Sequence, residues 1–372
     1  MAANRDTAGR ENSKNRIYRA IYEGRGISRQ QMAQQLGMSL PTVGTHLGEL
    51  MDEGLVQETG VLASTGGRRA AVYEIEEDSR LAVGVEVTAD YAKAVLINLR
   101  GRVYEREKVA IPFSYTEDYA ERLGQLWERI RSKVPRGKFL GTGIALPAIL
   151  SLDGKQILHA ETLGTEGVPT EFLRKKMEGE VLFFHDSAAA GLAEGYAHPA
   201  ADHLAYLYLS DTVGGAILNN RELVFGLHGQ SAEFGHMILH ADGRPCYCGR
   251  RGCADAYLSA KRLAETSESD VSEFFKRLGR GEKREEAAWK TYRKDLALLI
   301  SNIRVTLDCN LILGGDVGGF LGERLPEIRE EIQKLDGGVM PIDYLKPCAY
   351  PEDAAAKGGA FLMIQEFVCG RS

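Results

Sequence analysis

No stretch of this sequence approaches eighteen consecutive apolar residues, and its first twenty residues are polar and charged rather than basic and then apolar. Neither membrane spanning nor export is indicated, so a cytoplasmic location is expected. Cysteine is scarce, six in 372 residues, and in a reducing compartment no disulfide framework is expected from it. The composition does not suit wholesale disorder either. With 44% hydrophobic and 26% charged residues, the chain can bury a sizeable core and is long enough for two or three domains. A strong excess of one charge is also missing. Residues 1–72 hold nine basic and seven acidic residues, a balance of +2, and the remainder holds 37 and 45, a balance of −8. That mild asymmetry suits a small nucleic-acid-binding head on an acidic body, without establishing one.

What is present is unevenly placed. Three of the six cysteines, Cys246, Cys248 and Cys253, fall within eight residues of C-Y-C-G-R-R-G-C, just after the stretch A-E-F-G-H-M-I-L-H. Clustered thiols inside a cell point to metal ligands more readily than to disulfides. Cys309, Cys348 and Cys369 are scattered and read as ordinary buried thiols.

The first seventy-five residues read as three short helices and a ribbon. Ile17, Ala20 and Ile21 share one helical face, and Gly24 and Gly26 end that run. Ser28 is a good N-cap for a second helix with Met32, Ala33 and Leu36 as its apolar stripe. Gly37 supplies a turn, and Ser39 caps a third helix in which Val43, Leu47 and Leu50 face inward. Gly54 stops that helix, and a strand follows. The pattern predicts a winged helix-turn-helix, its third helix entering the DNA major groove; a small helical dimerisation module is the competing possibility. Thr42, Thr45 and His46 lie on the polar face of the presumed recognition helix and are candidate DNA contacts. Two features sit awkwardly there. Gly44 and Gly48 each cost about 1 kcal/mol relative to alanine in a helix, and the face lacks the arginine that most often reads guanine. Downstream, S-T-G-G-R-R-A places Arg68 and Arg69 after the wing, where they could clamp phosphates or enter a minor groove.

From Leu81 onward strands and helices alternate: L-A-V-G-V-E-V, a second apolar strand ending at Gly101, a helix around 117–134, F-L-G-T-G-I-A-L-P, then V-L-F-F-H-D leading straight into S-A-A-A-G-L-A-E-G. The alternation resumes through H-L-A-Y-L-Y-L-S, V-G-G-A-I-L and L-I-L-G-G-D, giving an α/β chain of two similar halves.

These residues resemble the ROK family, which groups bacterial repressors and sugar kinases on a two-lobed actin/hexokinase-like fold. The likeness rests on G-L-H-G-Q-S-A-E-F-G-H at 226–236, C-Y-C-G-R-R-G-C-A-D at 246–255, L-I-L-G-G-D, and D-A-A-A-K-G-G-A at 353–360. It covers nearly the whole chain, including the winged helix carried by the repressor members. The expected domains are a DNA-binding head with basic linker at 1–75, an N-terminal lobe at 76–195 completed by 355–372, and a C-terminal lobe at 196–354.

The resemblance implies a role through what the phosphate loops retain. Family kinases open with an Asp-x-Gly-Gly-Thr-like turn, where this chain has Glu86, Val87, Thr88, Ala89 and Asp90. Their second loop carries Gly-Thr-Gly, where this chain has Ser210, Asp211 and Thr212. Missing glycines remove the backbone cradle, and two added acids repel a polyphosphate. No useful ATP binding is expected, and so no enzyme. The sugar side is closer to the pattern. Asp186 matches the kinases' catalytic aspartate and, without ATP, could still accept a hydrogen bond from a sugar hydroxyl; Glu233 and His236 match sugar-binding positions, and Asp255 stands for the usual glutamate. His185 replaces an asparagine, and Ala148 follows Pro147 where glycine is common.

For the thiols, Cys246, Cys248 and Cys253 with an imidazole form a closed four-ligand set suited to structural zinc. His236 and His240 compete for the fourth place on spacing, and the family pattern favours His236. Redox sensing by the thiols is the functional rival. The expectation is therefore a homodimeric, zinc-containing transcriptional repressor of carbohydrate genes that binds operator DNA and a small carbohydrate or sugar phosphate. An active sugar kinase with a DNA-binding head, and a regulator that answers to a protein partner, are the other possibilities.

Overall fold

The computed structural model describes residues 12–61, 70–338 and 341–370. The chain divides into two compact units, Met1–Phe184 with Gly359–Ser372, and His185–Gly358.

The first unit begins with the head. Helices α1 (Ser13–Gly24), α2 (Arg29–Leu36) and α3 (Leu40–Asp52) pack around Ile17, Ile21, Met32, Val43, Leu47 and Leu50, all nearly inaccessible to solvent. Their ends are set by local chemistry. The Ser28 side chain accepts from the Gln31 amide while Gln31 reaches back to the Ser28 amide, a reciprocal capping box. Gly37 closes α2 in the left-handed conformation, and Ser39 caps α3. Strand β1 (Ile27–Ser28) pairs with β3 (Ala71–Ile75), which pairs in turn with β2 (Val56–Val61), so the three-stranded sheet of a winged helix is complete. Gly44 and Gly48 do not interrupt α3, which is continuous over thirteen residues.

The head is joined to the body by more than chain connectivity. The Tyr22 hydroxyl donates to the Leu99 carbonyl at 2.9 Å, and Arg100 donates to the Tyr22 carbonyl at 2.7 Å while its guanidinium lies over the Tyr22 ring. Tyr18 meets Phe367 edge to face at 5.6 Å.

The body of this unit is a five-stranded sheet of β4 (Leu81–Val87), β5 (Tyr91–Asn98), β6 (Val103–Ala110), β7 (Phe139–Leu146) and β11 (Val181–His185), ordered β11-β7-β4-β5-β6. Strands β4 and β5 are buried almost throughout. Amphipathic α4 (Glu117–Arg131) covers the sheet with Leu123, Leu126, Trp127 and Ile130, and the Trp127 indole donates to Thr142 at 2.8 Å. A small antiparallel sheet of β8 (Ile149–Leu150), β9 (Gln156–Ala160) and β10 (Thr165–Pro169) follows β7, before the single-turn helix α5 (Glu171–Arg174). A β-carbon at Gly143 in β7 would lie 1.9 Å from the Gly359 carbonyl oxygen, so this backbone contact excludes every side chain at 143.

The second unit repeats the strand order. Its sheet, β14 (Glu222–Leu223), β13 (Val213–Asn219), β12 (His203–Leu209), β15 (Asn310–Gly314) and β16 (Leu345–Pro347), has an antiparallel meander followed by parallel β15 and β16. In both sheets the first strand is antiparallel to the second and parallel to the fourth. The unit opens with α6 (Asp186–Ala197), whose Glu194 is fully buried and accepts from the amides of Ala349 and Tyr350. Helices α7 (Asp255–Leu258), α8 (Ala260–Ser267), α9 (Val271–Gly279), α10 (Lys283–Leu307), α11 (Gly315–Gly318) and α12 (Leu325–Asp336) build its second layer. The last helix, α13 (Ala354–Val368), carries residues of both units. The whole is an α/β architecture of two sheets with one topology and an N-terminal winged helix, as expected from the sequence. Among the described residues no helix is long and apolar enough to cross a membrane.

Candidate metal centre and effector site

Between β13 and α7 the chain makes almost no regular structure, yet it is tightly folded. A single 3-10 turn, Phe234–His236, follows Ala232, which is held at φ +62° immediately before Glu233. A non-glycine residue there is strained. Isolated bridges pair Ile238 with Cys253 and Pro245 with Arg251. The Cys246 amide donates to the Arg250 carbonyl, and the Gly249 amide donates to the Cys246 carbonyl. Gly252 is essential to this wrap. It sits at φ +80°, and a β-carbon on it would fall 1.8 Å from the His240 carbonyl oxygen.

The wrap brings together the four residues expected to bind metal. The ligating atoms of His236, Cys246, Cys248 and Cys253 all lie within 4.8 Å of one another. His236 Nδ1 is 3.9 Å from Cys246 Sγ, and Cys248 Sγ is 3.7 Å from Cys253 Sγ. Metal–sulfur bonds of about 2.3 Å in a tetrahedron place donors about 3.8 Å apart, so this donor set fits a four-coordinate ion. Burial pushes the Cys246 thiol up to about 12. Burial acts the same way at Cys248, but hydrogen bonding to Arg250 outweighs it and brings that thiol down to about 7. Cys248 is thus the thiol most readily deprotonated for a metal to capture. His240 takes no part. Its Nε2 is 2.8 Å from Asp295 Oδ1 on α10, and its ring packs against Tyr257.

The other ring nitrogen of His236 faces a residue that the sequence pattern did not single out. Tyr247, between two of the cysteines, brings its hydroxyl to 3.4 Å from His236 Nε2. Burial and the carboxylates of Asp255 and Glu233 help raise the Tyr247 phenol, which places the ring among the expected effector residues.

Those residues divide into two kinds. Asp186, the first residue of α6, keeps a partly accessible carboxylate; its Oδ1 accepts from the Ser187 amide at 2.6 Å and lies 2.9 Å from His185 Nδ1. Glu233 is exposed. Asp255, by contrast, is buried and accepts a 2.6 Å hydrogen bond from the Val213 amide. Its pKa is raised by burial, which the Val213 bond offsets only partly. One oxygen of Asp255 therefore anchors the start of β13, directly after the Ser210-Asp211-Thr212 turn. His185 was noted in the sequence only as a departure from asparagine. Burial would lower its pKa, but the Asp186 carboxylate, with help from Glu233, more than offsets that and raises it. Ser187 completes the group, with its hydroxyl 2.9 Å from His185 Nδ1 and 3.0 Å from the Gly215 carbonyl, to which it donates.

The two turns expected from the sequence to correspond to the kinases' phosphate loops each make side-chain contacts of their own. In the first unit, Thr88 Oγ1 donates to the Tyr91 carbonyl and accepts from the Tyr91 amide, while buried Glu86 pairs with Lys93 at 3.1 Å. In the second, the Ser210 hydroxyl donates to Asp316 of the L-I-L-G-G-D segment.

On the head, Thr42 and Thr45 are exposed and His46 half-buried. Thr42 Oγ1 is 2.8 Å from Ser39 Oγ, Thr45 donates to the Pro41 carbonyl, and His46 lies 3.0 Å from Glu49. Arg68 and Arg69 lie outside the described residues.

Comparison with known proteins agrees with this layout. The ROK family model matches residues 82–366, and a winged helix-turn-helix DNA-binding model matches residues 10–57. The xylose repressor of Bacillus spizizenii is 27% identical over 69% of this chain and 68% of its own length. A putative xylose repressor of Caldicellulosiruptor is 29% identical over 66% of this chain and 63% of its own, so the chain spans about two thirds of these curated relatives. The N-acetylmannosamine kinase of Escherichia coli is 27% identical over 75% of this chain and 97% of its own length. Among solved structures, a ROK family transcriptional regulator described as a homologue of the E. coli MLC protein superposes with a TM-score of 0.76 at 20% identity, covering 96% of each chain. A ROK family glucokinase from Streptomyces griseus, in complex with glucose and AMPPNP, gives 0.67 at 19% identity, covering 77% of this chain and 99% of its own.

Two outcomes follow from the geometry. Elemental analysis of the full chain purified in zinc-supplemented medium is expected to find one bound metal ion per chain, lost in Cys248→Ser and His236→Ala but kept in His240→Ala; metal loss in His240→Ala would refute the ligand set. The raised His185 pKa also sets a pH dependence. An imidazole whose folded pKa lies above its unfolded value of about 6.5 stabilises the fold fully below that value and loses the effect as pH rises through the folded pKa. Denaturation midpoints of the wild type should therefore fall relative to Asp186→Asn as pH rises above about 6.5. Parallel curves would show that the pair is not coupled.

Proposed function

This chain belongs to the ROK family, and from that membership we propose that it is a cytoplasmic, DNA-binding transcriptional repressor of carbohydrate genes whose kinase-like body binds a sugar without phosphorylating it. The observation that carries this is the union in one chain of a winged helix and a ROK body. Relatives named as xylose repressors make a pentose the first effector to try.

The body supports binding without turnover. A kinase of this class needs backbone amides to cradle the nucleotide phosphates. Here the first turn is Thr88-Ala89-Asp90, tied to Tyr91, and the second carries Asp211 beside a Ser210–Asp316 contact. Each acid opposes a polyphosphate, and neither turn has the open glycines that let one approach. Asp186 and Glu233 retain the donor-accepting chemistry a sugar hydroxyl needs, and His236 Nε2 points away from the thiols toward Tyr247. Asp255 serves as the support that holds β13 in place.

The metal ion is proposed to be zinc, held by His236, Cys246, Cys248 and Cys253. When bound it supplies a rigid tetrahedral anchor and, with every position filled by protein, no open site for catalysis. The protein's part is to use that anchor to orient His236 and, three residues earlier, Glu233. Winged-helix heads read paired half-sites, so a homodimer is the expected assembly.

The opposing class is an active kinase, which the 97% coverage of the N-acetylmannosamine kinase keeps in play. A coupled ADP-release assay with pentoses, hexoses and amino sugars separates the two. The expected result is no turnover with any sugar, together with a raised melting temperature for at least one of them. Steady ADP release would overturn the regulator, and the absence of stabilisation by every sugar and sugar phosphate would move the proposal to a protein-responsive regulator.

A further inference from the structure

Helix α3 has an electrostatic problem as a DNA reader. Its thirteen residues contain no lysine or arginine, and with Glu49 and Asp52 it carries a formal charge of −2. DNA affinity is dominated by neutralising phosphates, so cationic groups must come from elsewhere in the head. Most of the nearby cations are already engaged. Lys14 pairs with Glu53, Arg19 pairs with Glu23 at 2.9 Å, and Arg16 donates to the Leu36 carbonyl at 3.0 Å.

Arg29, the first residue of α2, is different. It is exposed and has no carboxylate partner among the described residues, and its guanidinium lies against α3. A β-carbon built on Gly44 would meet Arg29 Nη1 at 3.6 Å and Cζ at 3.8 Å, with no other atom within 4 Å. Those are ordinary van der Waals separations, so the guanidinium rests beside Gly44 on a helix that has no cation of its own. The guanidinium is also held from behind, since Arg29 Nη2 is 3.4 Å from the hydroxyl of Tyr73 on β3.

Resting on the DNA-binding function proposed above, we infer that Arg29 is a DNA contact of this protein and that it clamps a backbone phosphate beside the recognition helix. The position on α3 selects phosphate over base. At 3.6 residues per turn, Gly44 is rotated about 100° from buried Val43, whereas Thr45 is rotated about 200°. Gly44 thus lies on the flank of α3, next to the strand backbone, and Thr45 faces outward toward the base edges. Arginine suits a phosphate through its fork of donors, and contacts of this kind fix register rather than sequence. Tyr73 fixes the fork before DNA arrives, so less side-chain freedom is lost on binding.

The test measures how affinity of the full chain for a mixed-sequence duplex of about three helical turns varies with salt, for the wild type, Arg29→Ala and Arg29→Lys. Each phosphate neutralised contributes about 0.9 to the slope of log K against log salt. Arg29→Ala should therefore flatten the slope by about 0.9 and weaken binding about eightfold at 0.1 M salt, as ten to the power 0.9 implies. Arg29→Lys should keep the slope, and melting temperatures of all three should agree. A merely structural arginine would change the melting temperature or the affinity while leaving the slope alone. If the wild type binds DNA and Arg29→Ala has an unchanged slope, Arg29 is not a phosphate contact. If the wild type binds no DNA at any salt concentration, the DNA-binding function itself fails and takes this assignment with it.

Discussion

Four donor atoms confined within 4.8 Å are the constraint on which the segment between β13 and α7 depends. Residues 224–254 have almost no secondary structure to hold them, and their backbone is bent through Ala232, Gly249 and Gly252 at positive φ. Three thiols and an imidazole converging on one point replace the missing ladder. From that point the constraint runs outward through short, specific contacts. The Ala254 amide donates to the Met237 carbonyl, and Asp255, two residues after the last cysteine, holds the Val213 amide. Val213 in turn begins the strand that follows Ser210-Asp211-Thr212. The four residues expected to bind metal, Asp255 and the turn that precedes Val213 are therefore connected.

This connection explains how a kinase-like body could serve as a sensor. The same segment that would orient a sugar for phosphoryl transfer can orient it for binding alone, provided that nothing is delivered to its hydroxyl. On the function proposed above, the contacts at the two turns suit that second use: Thr88 folds back on Tyr91, Glu86 pairs with Lys93, and Ser210 meets Asp316. His185 stands 2.9 Å from the Asp186 carboxylate where an asparagine was expected. Within the first unit the head is packed on its own lobe through Tyr18, Tyr22 and Arg100, contacts beyond chain connectivity.

Much of this was legible in the sequence because the signals were local. The capping serines Ser28 and Ser39, the turn at Gly37 and the apolar triad Val43, Leu47 and Leu50 each act within a few residues. The C-x-C spacing with its glycines likewise specifies its own wrap. What was not legible depends on residues distant in the chain. His240 and His236 have similar spacing from the cysteines, and only Asp295, 55 residues on, shows that His240 is occupied elsewhere. Nothing in the sequence near Asp255 shows that one of its oxygens accepts from the Val213 amide, 42 residues away. Tyr247 gave no signal beyond lying between two thiols. The arginine that lies beside Gly44 on α3 belongs to another helix, so the sequence of α3 alone does not show it.

The central claim is that a metal-tied segment reads a sugar and that the result changes DNA binding. It is tested most directly by selecting duplex DNA from a random pool with the metal-loaded full chain, then titrating the selected duplex with sugars before and after chelation. A sugar that changes DNA affinity for the metal-loaded protein and has no effect on the chelated, still folded protein is the predicted result. An identical sugar response after chelation, or a failure to select any duplex, would contradict the account.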